Sequence, residues 1–451
     1  MIIIEDIIDN IRQKDKRTSL AQKNIFLSFI IKGIAMFTSF IVVPLTLNYL
    51  DNEIYGIWLT ISSILFWFTF FDVGLGSGMR NYLSAALSNK DFTLSKQYVS
   101  TTFALLLILA VILGLIIALI VPQINLNSLF NTNIEKAETL MQALLVALYL
   151  TLGFFVVRNV GTIYISMQLP CVNDALSVMG NIIGLIAIWI FSFYVKGSLL
   201  LVVSAFTLPP VLIFTFAAFP TFKKYKEICP SIHFINWNLS RNIIGKGLGF
   251  FFIQITSCLI IYGASNLFIA HFCGPTEVTN YGISYKYFNL LSIFYIIFLT
   301  PYWNAYTDAY VKNDMKWIKK TFNKTLYMWG FMSLLGGILI IIAPIFYKLW
   351  VGTKVNIEWT LSVSTLFYVC MYNLNNCVTF LINGVNKIYI QIISSIVCTL
   401  IYVIAVELLK GKFGPEGIVM CMGITYLIMA CIHFFQCKLI INRKATGIWN
   451  K

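Results

Sequence analysis

The sequence predicts an all-α polytopic membrane protein with about 12 transmembrane helices in two pseudosymmetric six-helix lobes. Three observations carry this. The stretch 104–121, ALLLILAVILGLIIALIV, holds no polar or charged side chain, and a helix crosses the hydrocarbon core with roughly 20 apolar residues. Cutting the chain at its charged residues leaves about a dozen such runs, whereas a soluble helix shows a solvated face every turn. Only 11% of the 451 residues are charged and the mean hydropathy is +0.82, against about 25% charged in soluble domains.

The elements follow in order. Residues 1–24 place their acids before their bases and precede no small-residue cleavage site. They read as a cytoplasmic amphipathic N-terminus, not a signal peptide. Spans one to six (25–47, 54–77, 99–122, 139–161, 175–195 and 198–219) form an N-lobe, 25–219. The longest basic and polar connection, 220–243, is a cytoplasmic linker whose length can absorb motion between the halves. Spans seven to twelve (244–270, 279–301, 325–347, 359–382, 388–408 and 417–437) form a C-lobe, 244–437, and 438–451 is a cytoplasmic tail. Pro301 is expected to kink or end span eight. Tyr302, Trp303, Tyr306 and Tyr310 beyond it read first as an interfacial aromatic belt.

The net charge of +14 is a topology signal. Three quarters of the 32 Lys and Arg fall on segments sharing a side with the N-terminus. Only Lys136, Lys196, Lys348, Lys354, Lys410 and Lys412 fall on the other side. The bias puts both termini in the cytoplasm, and no nucleic-acid partner is implied. The ten cysteines are scattered, mostly within apolar runs, and the three histidines lie far apart. No metal spacing, cofactor motif or nucleophile with its base is legible.

The halves repeat a pattern. LDNEIYG (50–56) opens span two, and HFCGPTEVTNYG (271–282) opens span eight. Each span runs to an inner loop with a KD or ND turn, then a basic stretch leading into the next span. Such order marks two related bundles.

Charges within spans are costly unless they face water or a partner. Lys32 belongs to a small or polar stripe with Ser28, Ala35 and Ser39, and Asp72 follows the aromatic run FWFTFF. Each either faces a cavity, snorkels to the inner interface or pairs with the other. Lys286, flanked by Tyr285, Asn289 and Ser292, favours a water-filled cavity. Span ten repeats Ser364, Tyr368, Tyr372, Asn375, Thr379 and Asn383 on one face, and span eleven repeats Gln391, Ser395, Cys398 and Tyr402. Span seven adds Gln254, Ser257 and Ser265. Polar stripes line water or join helices; three in one half suggest a hydrated cleft, with span ten facing water. Tyrosine rings stack on sugar faces and amides bond hydroxyls. The glycines of FFDVGLGSGMRN (70–81) have no βαβ context and are not a dinucleotide motif. They permit close packing, with Arg80 at the cytoplasmic surface.

FFDVGLGSGMRNYLSAALSNKD (70–91) resembles a motif of the O-antigen flippases, polysaccharide translocases of the multidrug/oligosaccharidyl-lipid/polysaccharide exporter superfamily. The run IIKGIAMFTSFIVVPLTLNYLDNEIYGIWLTISS resembles that family's first two spans. The resemblance implies two six-helix lobes around a central cleft that opens alternately to each side. It implies flipping of an undecaprenyl-diphosphate-linked oligosaccharide to the outer leaflet of the bacterial inner membrane, without a cofactor. A polysaccharide polymerase and a chain-length regulator would be protein partners beside the lipid bilayer. Lys32, Lys286, Arg80 and Arg158 are then candidate cationic cleft residues, with Asn289, Tyr368, Tyr372, Asn375 and Thr379 as glycan contacts. Asp72 is the ion-coupling candidate; the motif itself covers only Asp72 and Arg80.

Three alternatives are weighed against this. A drug/cation antiporter of the same superfamily favours buried acids, which are scarce here. A membrane-integral polysaccharide polymerase wants a large external loop, yet the longest external loop is about 123–138. A peptidoglycan-precursor flippase is expected to carry more spans.

Overall fold

The computed structural model describes residues 27, 30–68, 75–132, 137–240 and 264–450. In chain order its helices are α1 (Ile30–Tyr49), α2 (Asn52–Phe68), α3 (Leu75–Ser88), α4 (Phe92–Ile120) and α5 (Leu126–Phe130). There follow α6 (Ala137–Val157), α7 (Asn159–Ser166), α8 (Pro170–Tyr194), α9 (Leu199–Lys224) and α10 (Ser265–Cys273). The last five are α11 (Pro275–Val311), α12 (Met315–Val351), α13 (Trp359–Gly384), α14 (Tyr389–Leu409) and α15 (Gly414–Ile441). Among the described residues there is no strand, and ten helical segments are long and apolar enough to cross a membrane. Span two is described as α2 and α3, on either side of 69–74. Most of span seven, with Gln254 and Ser257, lies outside the described residues, as do 1–24 and Asp72.

Helix boundaries repeat between the halves as the inner-loop motifs suggest. Lys90 and Asn313 both take left-handed backbone, with φ of 57° and 60°. Asp91 then caps α4 by accepting from the Leu94 amide at 2.9 Å, and Asp314 caps α12 by accepting from the Trp317 amide at 2.9 Å. The Asp91 and Asp314 amides donate back to Ala86 and Ala309 carbonyls, closing the preceding helix in the same way in both halves.

Span eight departs from its expected end. Pro301 lies inside α11, which continues to Val311. A membrane helix tolerates an interior proline when its neighbours hold the following turns. Here Tyr306 and Ala309 are buried against Ile318, Phe322, Leu381 and Ile382. The aromatic residues after Pro301 are therefore core-packing groups more than an interfacial belt. Trp303 stacks edge-on to Phe380, and Tyr306 to Trp317.

The chain forms two compact units. The first comprises 1–50, 68–124 and 136–251; the second comprises 51–67, 125–135 and 252–451. Spatial grouping thus differs from the lobes 25–219 and 244–437: α2 and α5 pack with the C-terminal helices. The cause is local. A Cβ on Gly56 would lie 1.8 Å from the Pro275 carbonyl oxygen, so only glycine allows α2 to sit against the start of α11. A Cβ on Gly282 would lie 2.5 Å from Leu59. The glycines of the two repeated Tyr-Gly pairs therefore form one crossing. The Thr279 hydroxyl donates to the Asn52 carbonyl at 2.6 Å, and the Asn266 amide to the Ser63 hydroxyl at 2.6 Å. Thr132, just after α5, is hydrogen-bonded to Glu53.

In the first unit, α9 extends to Lys224, beyond the expected start of the linker. Residues 225–240 then fold back onto α4 in short 3-10 turns. The Ser231 amide donates to the Ser100 hydroxyl and the Asn236 amide to the Thr101 hydroxyl, both at 3.0 Å. Lys96 lies 4.5 Å from the Phe234 ring centroid. This part of the linker is docked.

Candidate functional site

The first unit builds a polar cavity from α3, α6, α7, α8 and α9. The α6–α7 boundary falls at Arg158. Asn159, fully buried next to it, directs its amide at the Phe155 carbonyl, and such local side-chain bonds compete with the helical ladder. A Cβ on Gly161 would lie 2.0 Å from the Asn173 Oδ1 atom and 2.9 Å from Phe214, so its absence draws α8 and α9 inward. The result is a cavity of about 350 Å3 lined by Arg80, Arg158, Asn159, Thr162, Asn173 and Ser177, among others. Arg80 is exposed on α3 and Arg158 is half-buried, its guanidinium 5.6 Å from the Phe155 ring centroid. Two guanidinium groups among amides and hydroxyls, with no carboxylate among the described lining residues, suit an anionic ligand. Lys32 is exposed on α1 and does not line this cavity.

In the second unit the site centres on α11. Lys286 lies eleven residues past Pro275, about 16 Å along the 37-residue helix and so in its first half. It is half-buried, and among the described residues it has no ion pair and no hydrogen bond. One turn away, the Tyr285 hydroxyl donates to the Asn289 side-chain oxygen at 3.1 Å. The Tyr285 ring belongs to a chain of tyrosines on α11, α13 and α15. Centroid separations are 5.8 Å for Tyr281–Tyr285, 6.0 Å for Tyr285–Tyr368, 6.2 Å for Tyr368–Tyr372 and 5.3 Å for Tyr372–Tyr426. The structure thus brings Asn289, Tyr368 and Tyr372 into one neighbourhood with the turn carrying Lys286. Tyr285, Asn289 and Tyr372 are half-buried, while Tyr368 is 1% exposed.

The span-ten stripe differs from expectation: Ser364 and Tyr368 are buried, and only Tyr372 and Asn383 are half-buried. Asn375 and Thr379 are buried between α13 and its neighbours, at 7% and 6% exposure, instead of facing water. The Asn375 Oδ1 atom meets His433 Nδ1 at 2.9 Å, and the Thr379 hydroxyl donates to the Asn375 carbonyl at 2.9 Å. His433, fully buried on α15, also meets the Ser394 hydroxyl through Nε2 at 2.8 Å. The span-eleven stripe of Gln391, Ser395, Cys398 and Tyr402 is buried too. The Asn375–His433–Ser394 contacts join α13, α15 and α14, because a polar group in a span is cheapest when another helix satisfies it. The sequence reading missed His433 as a partner. The available signal was depth: Asn375 lies nine residues before the end of α13 and His433 eight before the end of α15. Among the described residues no three His, Cys, Asp or Glu side chains are grouped to hold a metal ion.

No family model matches this chain. It is 21% identical over 282 residues to a Yersinia pseudotuberculosis protein named for O-antigen export, covering 61% of this chain and 62% of that protein. It is 22% identical over 312 residues to a Salmonella typhi protein named for O-antigen transport, covering 66% of each. The chain thus spans just under two thirds of the length of the curated relatives it matches. Among solved structures it superposes on an inward-facing MATE family multidrug transporter of the MOP superfamily with a TM-score of 0.75 and 15% identity, over 92% of this chain and 98% of that one. The outward-facing form of a MATE transporter gives 0.61 at 14% identity, over 95% and 97%. The lipid II flippase MurJ, inward closed, gives 0.68 at 13% identity, over 92% and 87%. The fold is therefore shared with these solved transporters, and the sequence is similar to that of the two proteins named for O-antigen export and transport.

Proposed function

We propose that this multi-pass membrane protein is a flippase that moves undecaprenyl-diphosphate-linked polysaccharide repeat units, such as O-antigen units, from the cytoplasmic to the outer leaflet of the bacterial inner membrane. Both termini are cytoplasmic in this reading, and the cycle is alternating access coupled to an ion gradient. The observation that carries it is Lys286, an ammonium within the spanning helix α11 without a counter-ion among the described residues, set beside a tyrosine chain. A cation in a low-dielectric setting is costly until an anion joins it. A diphosphate supplies that anion, and tyrosine faces suit the attached sugars. The Arg80–Arg158 cavity supplies a second basic surface in the first unit. The names of the Yersinia and Salmonella relatives and the MurJ fold support the same substrate class.

Reconstitution tests it. Proteoliposomes containing the purified chain should move a fluorescent polyprenyl-diphosphate oligosaccharide across the bilayer, and Lys286→Ala should stop this while inserting normally. Expulsion of organic cations, with no movement of the glycolipid, would replace this reading with the multidrug antiporter that the MATE fold also accommodates.

A further inference from the structure

A concave apolar groove of about 720 Å3 lies on the second unit between α12, α13 and α15, in the size range of ligand clefts. Trp329, Gly330, Leu334, Ala430, Cys431 and Phe434 line it, and none of its lining residues is charged. Trp329 is fixed by its indole N–H, which donates to the Cys370 carbonyl at 2.8 Å. A Cβ on Gly330 would meet nothing within 4 Å, and the same holds for Gly337 two turns on. Neither glycine is overhung by a neighbouring residue. Phe434 lies seven residues from the end of α15, about 10 Å. On the charge-derived topology this is the inner-leaflet half of the bilayer. Lys438, beside the lining residue Phe434, and Lys324, two residues before the lining residue Leu326, are both exposed. Lys438 Nζ is 4.7 Å from the Phe434 ring centroid, and Lys324 Nζ is 6.0 Å from that of Tyr302. Among the described residues neither lysine has an ion pair.

We propose that this groove holds the polyprenyl tail of the lipid-linked substrate on its cytoplasmic-leaflet side, with Lys324 and Lys438 flanking the diphosphate. The inference rests on the flippase reading above. Lipid tails are as apolar as leucine, so leaving bulk lipid for the groove brings no hydrophobic gain. Selectivity has to come from dispersion over a concave wall and from charge beside it. The charge count favours this occupant over the surrounding phospholipid. A diphosphate linking a tail to a sugar carries two negative charges, and a phosphodiester headgroup carries one; Lys324 and Lys438 offer two unpaired ammonium groups. The groove is thus a loading station, separate from Lys286, which receives the headgroup during transport.

The full chain in nanodiscs of zwitterionic lipid is photolysed with a polyprenyl diphosphate bearing a diazirine in its tail, and adducts are mapped by mass spectrometry. Adducts are expected within 326–334 and 430–434. Unlabelled polyprenyl diphosphate should compete, and equimolar phosphatidylglycerol should not. Lys324→Ala with Lys438→Ala should lower labelling about tenfold, and Gly330→Leu should abolish it at these peptides. A bimane on Cys431, with the other nine cysteines replaced, gives a readout that needs no groove variant: its emission should shift when the polyprenyl diphosphate is added. Equal competition by phosphatidylglycerol would make this an ordinary annular lipid site and overturn the proposal. Adducts only elsewhere, with glycolipid flipping intact, would remove the groove and leave the flippase reading standing. No adducts and no flipping would remove both.

Discussion

Nδ1 of His433 and Oδ1 of Asn375 lie 2.9 Å apart inside the second unit, and the other imidazole nitrogen meets the Ser394 hydroxyl at 2.8 Å. One side chain therefore ties α15 to both α13 and α14. His433→Ala removes a partner from two buried polar groups, and each such loss costs about 1–3 kcal/mol. The melting temperature of the purified protein in detergent should fall by several degrees. An unchanged transition would mean that the triad contributes nothing to packing.

The same contact sets the accessibility of span ten. A cysteine at Tyr372 should react with a membrane-impermeant thiol reagent faster than one at Asn375 or Thr379, in a background without the ten native cysteines. Uniform labelling at all three positions would restore the hydrated stripe that helical periodicity suggested.

Lys286→Ala should reduce glycolipid flipping by at least about tenfold at normal protein level, and Lys286→Arg should keep part of it, since a full charge in a partly buried site is worth more than 1 kcal/mol. Loss of the protein from the membrane in the Ala variant would instead assign the lysine a structural role.

The Arg80–Arg158 cavity makes a separate prediction. Replacing both with glutamine should weaken binding of polyprenyl diphosphate about tenfold or more, charge-assisted contacts being the stronger ones. The salt dependence of binding should flatten with it. Equal affinity and salt slope in the double variant would exclude the cavity from substrate contact.

Gly56→Ala places a methyl group where the Pro275 carbonyl already stands. It should destabilise the protein by about 1–3 kcal/mol, as overpacking commonly does, and Gly282→Ala should cost less because Leu59 can turn aside. Similar melting points for the two would contradict the crossing geometry.

Hydropathy located the ten spanning helices found among the described residues, since an apolar run becomes a helix once the backbone leaves water. The repeated KD and ND turns were readable because turn chemistry is local, and within them Asp91 and Asp314 act on amides three residues away. Span eight was misjudged at its end because proline propensity is local, whereas the turns after Pro301 are held by Ile318, Phe322, Leu381 and Ile382 from other helices. The stripe on span ten was correct as a stripe. Its partner could not be read, because periodicity says that a face is polar and not which helix covers it. The placement of α2 with the C-terminal helices was equally invisible: it turns on a missing Cβ at Gly56 meeting a carbonyl more than two hundred residues on.

That crossing also imposes an order on biosynthesis. Thr279 follows Asn52, the residue it hydrogen-bonds, by 227 positions. At ~5–20 residues per second this is roughly 10–45 s of translation. Throughout that interval the Gly56 notch on α2 is uncovered, while the helices of the first unit are still being made. The second unit is therefore finished only when the earliest and latest parts of the chain meet. A fragment beginning at residue 244 lacks two of its own unit's helices, and a separately translated piece carrying residues 51–132 should be what allows it to assemble.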